Sequence, residues 1–206
     1  MSATPEPVAR PDASDRLGLI LTAGAAGLGI VAVLVSAIGR LAQVAPGRDI
    51  PVEVDLKDET VPLPLGPGGS HVDGTVDTAT VVVADPAPAT LFALWAEPIV
   101  WGATWIALLV IGAILCVRLA RAQVFDRFTY RMLYAASAIL TAGWVGGSIL
   151  TGMTVNGALA AVSEHTYEVQ SLSLNLGAVI GVVAIAAVAT AVQVGERLRK
   201  ETEGLV

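Results

Sequence analysis

RLARAQVFDRFTYRMLY, residues 118–134, separates two long apolar runs and decides how the rest of the chain is read. It holds four of the twelve basic residues, Arg118, Arg121, Arg127 and Arg131, and a single acid, Asp126. In a membrane protein, a short loop rich in arginine stays in the cytoplasm and sets the direction of the helices on either side. The remaining charges can be tested against that assignment.

Charged residues make up 15% of the chain, against ~25% in soluble domains. The hydrophobic fraction is 54% over 206 residues. Both figures place the chain in the membrane class. Residues 1–16 are polar and contain Pro5, Pro7 and Pro11, which suits a disordered cytoplasmic tail. Leu17–Gly39 then runs 23 residues without a charge. At 1.5 Å per residue it reaches roughly 34 Å, enough for a hydrocarbon core of about 30 Å. It is too long for a signal-peptide core and no A-x-A site follows it before Pro46, so a retained first transmembrane helix is expected. The second span is expected over 91–117, with an effective apolar core from Pro98 to Val117 that puts Pro98 in a first-turn position, and Trp95, Trp101 and Trp105 at the headgroup level. The third is expected over 132–153 and the fourth over 171–194.

Residues 40–90 differ in kind. They carry eight acids and three basic residues, with most of the prolines. IPVEVDLK, residues 50–57, alternates Val52, Val54 and Leu56 with Glu53, Asp55 and Lys57, the period of a half-buried strand. VPLPLGPGGS, 61–70, reads as a turn, and the Val/Thr-rich 71–85 as one or two strands broken near Gly74. So few strands are marginal in water, and the sheet is expected to lean on the helices or on a partner.

Of the twelve basic residues, nine lie in the N-tail, in 118–131 and in the tail 195–206, against seven acids; the other loops, 40–90 and 154–170, and Glu97 hold three against eleven. The two sides therefore carry +2 and −8, which recovers the net charge of −6. The expected fold is an all-α polytopic membrane protein of four transmembrane helices, with a small β-rich extracytoplasmic loop between helices 1 and 2. Both termini are expected in the cytoplasm.

Chemistry-bearing motifs are few. Intramembrane charge usually marks function, and the expected spans contain none; Glu97 is read as a carboxylate at the watery outer edge. The loop acids lack calcium-loop spacing, His71 and His165 are not spaced as a zinc pair, and no HExxH, CxxC, GxSxG or P-loop occurs. Ser148 and Ser163 have no base within reach in the sequence, and Cys116 lies in an apolar run. No enzyme, metal or cofactor is expected, and no direct contact with nucleic acid. Gly143, Gly147, Gly152, Gly177 and Gly181 form small-x-x-x-small patterns, read first as packing within one bundle and second as a homodimer seam. The basic segment and the tail together suggest a docking surface made of Phe125, Arg127, Arg131, Leu198, Arg199, Leu205 and Val206. The blander readings are a connector whose arginines hold anionic headgroups and set topology, and a tail that is a solvated extension of helix four.

With the connector and the tail in view, the chain resembles the DUF2975 family of bacterial four-helix membrane proteins, for which no activity is established. Members resemble G-x-P-F-[TD]-x-x-N-x-x-x-L between helices two and three. Here Phe125, Asp126, Arg127 and Leu133 occupy that place, Ala122-Gln123-Val124 stands where G-x-P would be, and the Asn position falls on Phe128, Thr129 or Tyr130. The closing pattern, resembling G-x-x-L-[RK]-x-[DE]-x-E-G-L-V, is matched by Gly195, Leu198, Arg199, Glu201, Glu203, Gly204, Leu205 and Val206. The resemblance implies a bacterial inner membrane, in keeping with ten Arg to two Lys. It also implies companionship with small helix-turn-helix regulators, hence a regulatory or sensing role through a cytoplasmic partner. The alternative is a transport or channel component, or an accessory subunit of a larger membrane complex, suggested by Ser148, Thr151, Ser173 and Asn175 in the spans.

Overall fold

The computed structural model describes residues 12–121, 126–163 and 176–203. Four helices carry most of these: α1 Ala13–Val44, α2 Pro88–Ala120, α3 Arg127–Ser163 and α4 Leu176–Glu203. Each is long and apolar enough to cross a membrane, the pattern of a multi-pass membrane protein. Between α1 and α2 lie two strands, β1 Ile50–Leu63 and β2 Val72–Val83, paired antiparallel.

The chain divides into two compact units. One is helical and takes Met1–Ser36, Val100–Val145 and Leu174–Val206; the other takes Ala37–Ile99 and Gly146–Ser173 and contains the sheet. In the helical unit many large apolar side chains stay exposed, among them Leu21, Leu28 and Val35 on α1 and Ile180 and Val183 on α4. Exposed aliphatics in such density suit hydrocarbon rather than water as the surrounding solvent.

The sheet unit buries its apolar residues in the ordinary way. Ile50, Val52 and Val54 of β1 face inward, and Val83 lies opposite Ile50. They pack with Val44 at the end of α1, Leu94 of α2, and Val155, Ala158 and Leu159 of α3. The hairpin therefore leans on helix ends, because two strands alone bury too little apolar surface to be stable. Arg40 reinforces the join, donating to the carbonyl of Pro51 at 2.8 Å and to Gln43 Oε1 at 3.2 Å. Gly47, at φ 70°, turns the chain out of α1, and the Asp49 N–H reaches the Ala84 carbonyl at 3.3 Å to close the open end of the hairpin.

Several boundaries differ from the sequence reading. β2 runs through Gly74 unbroken, with Gly74 opposite Val61, so one strand replaces the expected one or two. β1 continues through Val61-Pro62-Leu63, and the turn is confined to the segment where Gly66 N bonds Ser70 O at 2.8 Å and Gly68 and Gly69 take positive φ. Pro98 lies inside α2 rather than in its first turn. The helix begins ten residues earlier, at Pro88, because Ala93 and Leu94 are buried. Likewise α3 continues through Thr154–Ser163, placed beyond the span because the uncharged run is too long for one upright helix, and Val155, Ala158 and Leu159 belong to the sheet unit's core.

Candidate functional site

The end of α2 and the start of α3 are tied to each other by side chains. Arg118, in the last turn of α2, forms an ion pair with Asp126. Asp126 immediately precedes α3, and its Oδ1 accepts from the Thr129 N–H at 2.9 Å and from the Thr129 hydroxyl at 2.6 Å. That is an N-cap satisfying an otherwise orphaned backbone donor. The Arg118 guanidinium also lies 4.5 Å from the centroid of the Phe128 ring, a favourable cation–π arrangement. One arginine thus ties the end of α2 to the start of α3. The sequence reading gave Arg118 only a topological role and Asp126 only a place in the family pattern, and did not pair them.

Beside this clasp, the start of α3 meets the end of α4. Glu196 is buried, its side chain 9% exposed, and its carboxylate pairs with Lys200 one turn on and with Arg127 Nε of α3 at 3.8 Å. Arg197 donates from Nε to Glu201 at 3.0 Å. Between the helices lies an open groove of about 470 Å³, lined by these residues together with Tyr130, Gln193 and Val194. A row of polar contacts continues along the same helix pair. The Tyr134 hydroxyl lies 3.2 Å from Gln193 Oε1 and 3.2 Å from Thr190 Oγ1, and Ser137 Oγ reaches the Val182 carbonyl at 3.4 Å. Tyr130 and Tyr134 meet edge-on at 6.4 Å.

Of the proposed docking residues, Arg127 lines the groove, Arg131 is exposed on α3, and Leu198 is exposed on α4. Arg199 lies within α4, while Phe125, Leu205 and Val206 fall outside the described residues. Sequence reasoning missed Glu196, Lys200, Tyr130 and Gln193. Their signal was available, since Glu196 and Lys200 stand four apart on a helix and pair there, as do Arg197 and Glu201.

The packing glycines separate. A Cβ at Gly143 would stand 2.8 Å from Thr104 Cβ, so α2 and α3 touch there through a glycine. Gly181 faces Leu140 at ordinary contact distance and Gly152 faces open space. Gly147 is buried and Gly177 exposed. A second close approach, Gly157 against Thr90, was not among the glycine patterns singled out in the sequence.

Glu97 is not simply a carboxylate in water. Its Oε1 accepts from Thr151 at 2.6 Å and its Oε2 from the buried Thr154 at 3.0 Å. The sequence could not pair residues more than fifty positions apart on different helices. No family model matches the chain, and neither a curated protein nor a solved structure is significantly similar to it.

Proposed function

We propose that this chain is a regulatory or sensing membrane protein whose output passes through a partner held at its basic end. The observation that carries the reading is the clasp of Arg118 on Asp126, which joins the end of α2 to a capped start of α3. Exposed arginines on a fixed helix can present a defined surface, whereas a slack basic loop would serve only topology. Positive-inside asymmetry supports a cytoplasmic position for this end and an extracytoplasmic position for the sheet unit. The hairpin would then be the part exposed to an outside stimulus. The resemblance of 195–206 to the DUF2975 tail supports a bacterial inner-membrane setting and a small helix-turn-helix regulator as the partner; this last step is analogy.

The test is mild-detergent capture of the tagged protein from its own host, with mass spectrometry of what is retained. A DNA-binding or signalling protein retained by the full chain, and lost on deletion of 195–206 and on Arg131→Glu, is the expected result. Identical capture by the deletion and the intact chain would refute the docking role. A second reading, a transport component, draws support from the polar row of Tyr134, Ser137, Thr190 and Gln193 on α3 and α4. Reconstituted vesicles without solute or ion flux would remove it as a stand-alone activity.

A further inference from the structure

We propose that the groove between the start of α3 and the end of α4 is a binding site for an anionic phospholipid, its phosphate held by Arg127, Arg197 and Lys200. This goes beyond the docking role and does not depend on it.

Position is the first argument. The apolar stretch of α4 runs from Leu176 to Leu198, and the groove residues Gln193, Val194 and Arg197 lie in its last turns. The groove therefore falls where hydrocarbon gives way to water, the depth at which lipid phosphates sit. A water-soluble acidic polypeptide would have to reach into that border zone, whereas a lipid headgroup already occupies it.

Charge is the second. Three cations stand against two carboxylates in the groove, and the carboxylates have structural duties. Glu196 is buried under Lys200 and Arg127, and Glu201 is paired with Arg197. A guanidinium has five N–H donors in a planar fork, so one carboxylate contact leaves donors suited to a phosphate's paired oxygens. Arg127 and Arg197 keep 72% and 81% of their side chains exposed, so those donors are accessible. Glu196 thus acts as a positioning residue, holding two cations near each other that would otherwise repel.

The gradation of polarity is the third. From the charged mouth, the α3–α4 pair passes to Tyr130 and Gln193, then to Tyr134 and Thr190, and then to Leu140 beside Gly181. Anionic phosphate, hydrogen-bonding ester region and acyl chain follow one another in a phospholipid in that order. The groove volume of about 470 Å³ lies within the range of small-ligand sites, about 300–1,000 Å³. Basic pockets between transmembrane helices are a recurrent way of holding such headgroups.

The experiment is native mass spectrometry of the purified full-length protein in detergent, titrated with phosphatidylglycerol or with phosphatidylcholine of identical chains. Expected is at least about tenfold tighter retention of phosphatidylglycerol, the scale of one lost charge-assisted contact. R127Q/R197Q/K200Q should lower that affinity about tenfold or more and leave phosphatidylcholine unchanged. R131Q, on the same helix but outside the groove, should retain wild-type affinity, and K200R should too. If the triple variant loses its helicity, R197Q alone decides, with an expected loss of about threefold. Millimolar inorganic phosphate should not displace the lipid. Equal retention of the two lipids, undiminished phosphatidylglycerol binding by a folded triple variant or by R197Q in its stead, displacement by inorganic phosphate, or preference for polyglutamate would each overturn the proposal. None of these outcomes involves a cytoplasmic partner, so failure here leaves the docking reading to its own test.

Discussion

Replacing Gly143 by alanine puts a methyl group where Thr104 already stands. The added Cβ would lie 2.8 Å from Thr104 Cβ, with the hydroxyl and methyl of that threonine closer still. Carbon atoms in good contact are about 3.5–4.0 Å apart, so something must move by roughly 0.7 Å or more. Thr104 cannot easily turn away, because it is buried and its hydroxyl donates to the Val100 carbonyl at 2.7 Å. The strain falls on the α2–α3 contact, where overpacking costs about 1–3 kcal/mol. Better helix propensity returns up to ~1 kcal/mol. With the full propensity gain the expected net loss is up to about 2 kcal/mol, from the balance of those two effects. Gly152→Ala is the internal control: nothing lies within 4 Å of its Cβ, so only the propensity gain of up to ~1 kcal/mol remains. Both variants can be followed by reversible unfolding in mixed micelles. Adding Thr104→Ala to Gly143→Ala should recover part of the loss, since it removes the two nearest atoms and leaves the Cβ contact. Equal stability of Gly143→Ala and Gly152→Ala would refute the close approach.

Three further outcomes are expected. Leu94→Ala should destabilise the sheet unit by about 2–5 kcal/mol, because Leu94 is 1% exposed within its core, and limited proteolysis of the 50–83 hairpin should report the loss. Glu97→Ala should cost more than Thr154→Val in a thermal unfolding assay. The first strands the buried Thr154 hydroxyl, a cost of about 1–3 kcal/mol, whereas the second leaves Glu97 with its Thr151 bond. Asp126→Ala removes the cap of α3 and the partner of Arg118 together, so faster amide exchange over the first turn of α3 should follow, with a cap loss of about 0.5–2 kcal/mol.

Much of the architecture was legible because membrane spans write themselves as uncharged runs of fixed length. Leu17–Gly39 could be little else, and the alternation of Val52 and Val54 with Glu53 and Asp55 declared β1. The helix ends were not legible. α1 runs through Arg40 and α3 through Asn156 and Gly157, residues that suggest a boundary by composition. Packing on the sheet overrode that preference, and a local pattern carries no record of a distant neighbour. The same limit applied to the candidate sites. Arg131 and Leu198 stood out through residue type, but the buried role of Glu196 depends on Arg127 coming from another helix. Glu97 was visible as a charge, and its meaning rests on two threonines far along the chain. Small-x-x-x-small spacing found Gly143 and equally selected Gly152, because spacing does not report what faces the glycine.

The regulatory reading rests on an orientation with the basic connector inside and the hairpin outside. Single cysteines at Gly69 and Ala122, in a Cys116→Ala background, would be probed in intact host cells with a membrane-impermeant maleimide. Labelling at Gly69 with protection at Ala122 until the cells are broken is the expected result. Labelling of Ala122 in intact cells would contradict the orientation, and with it both the docking surface and the outward role of the sheet.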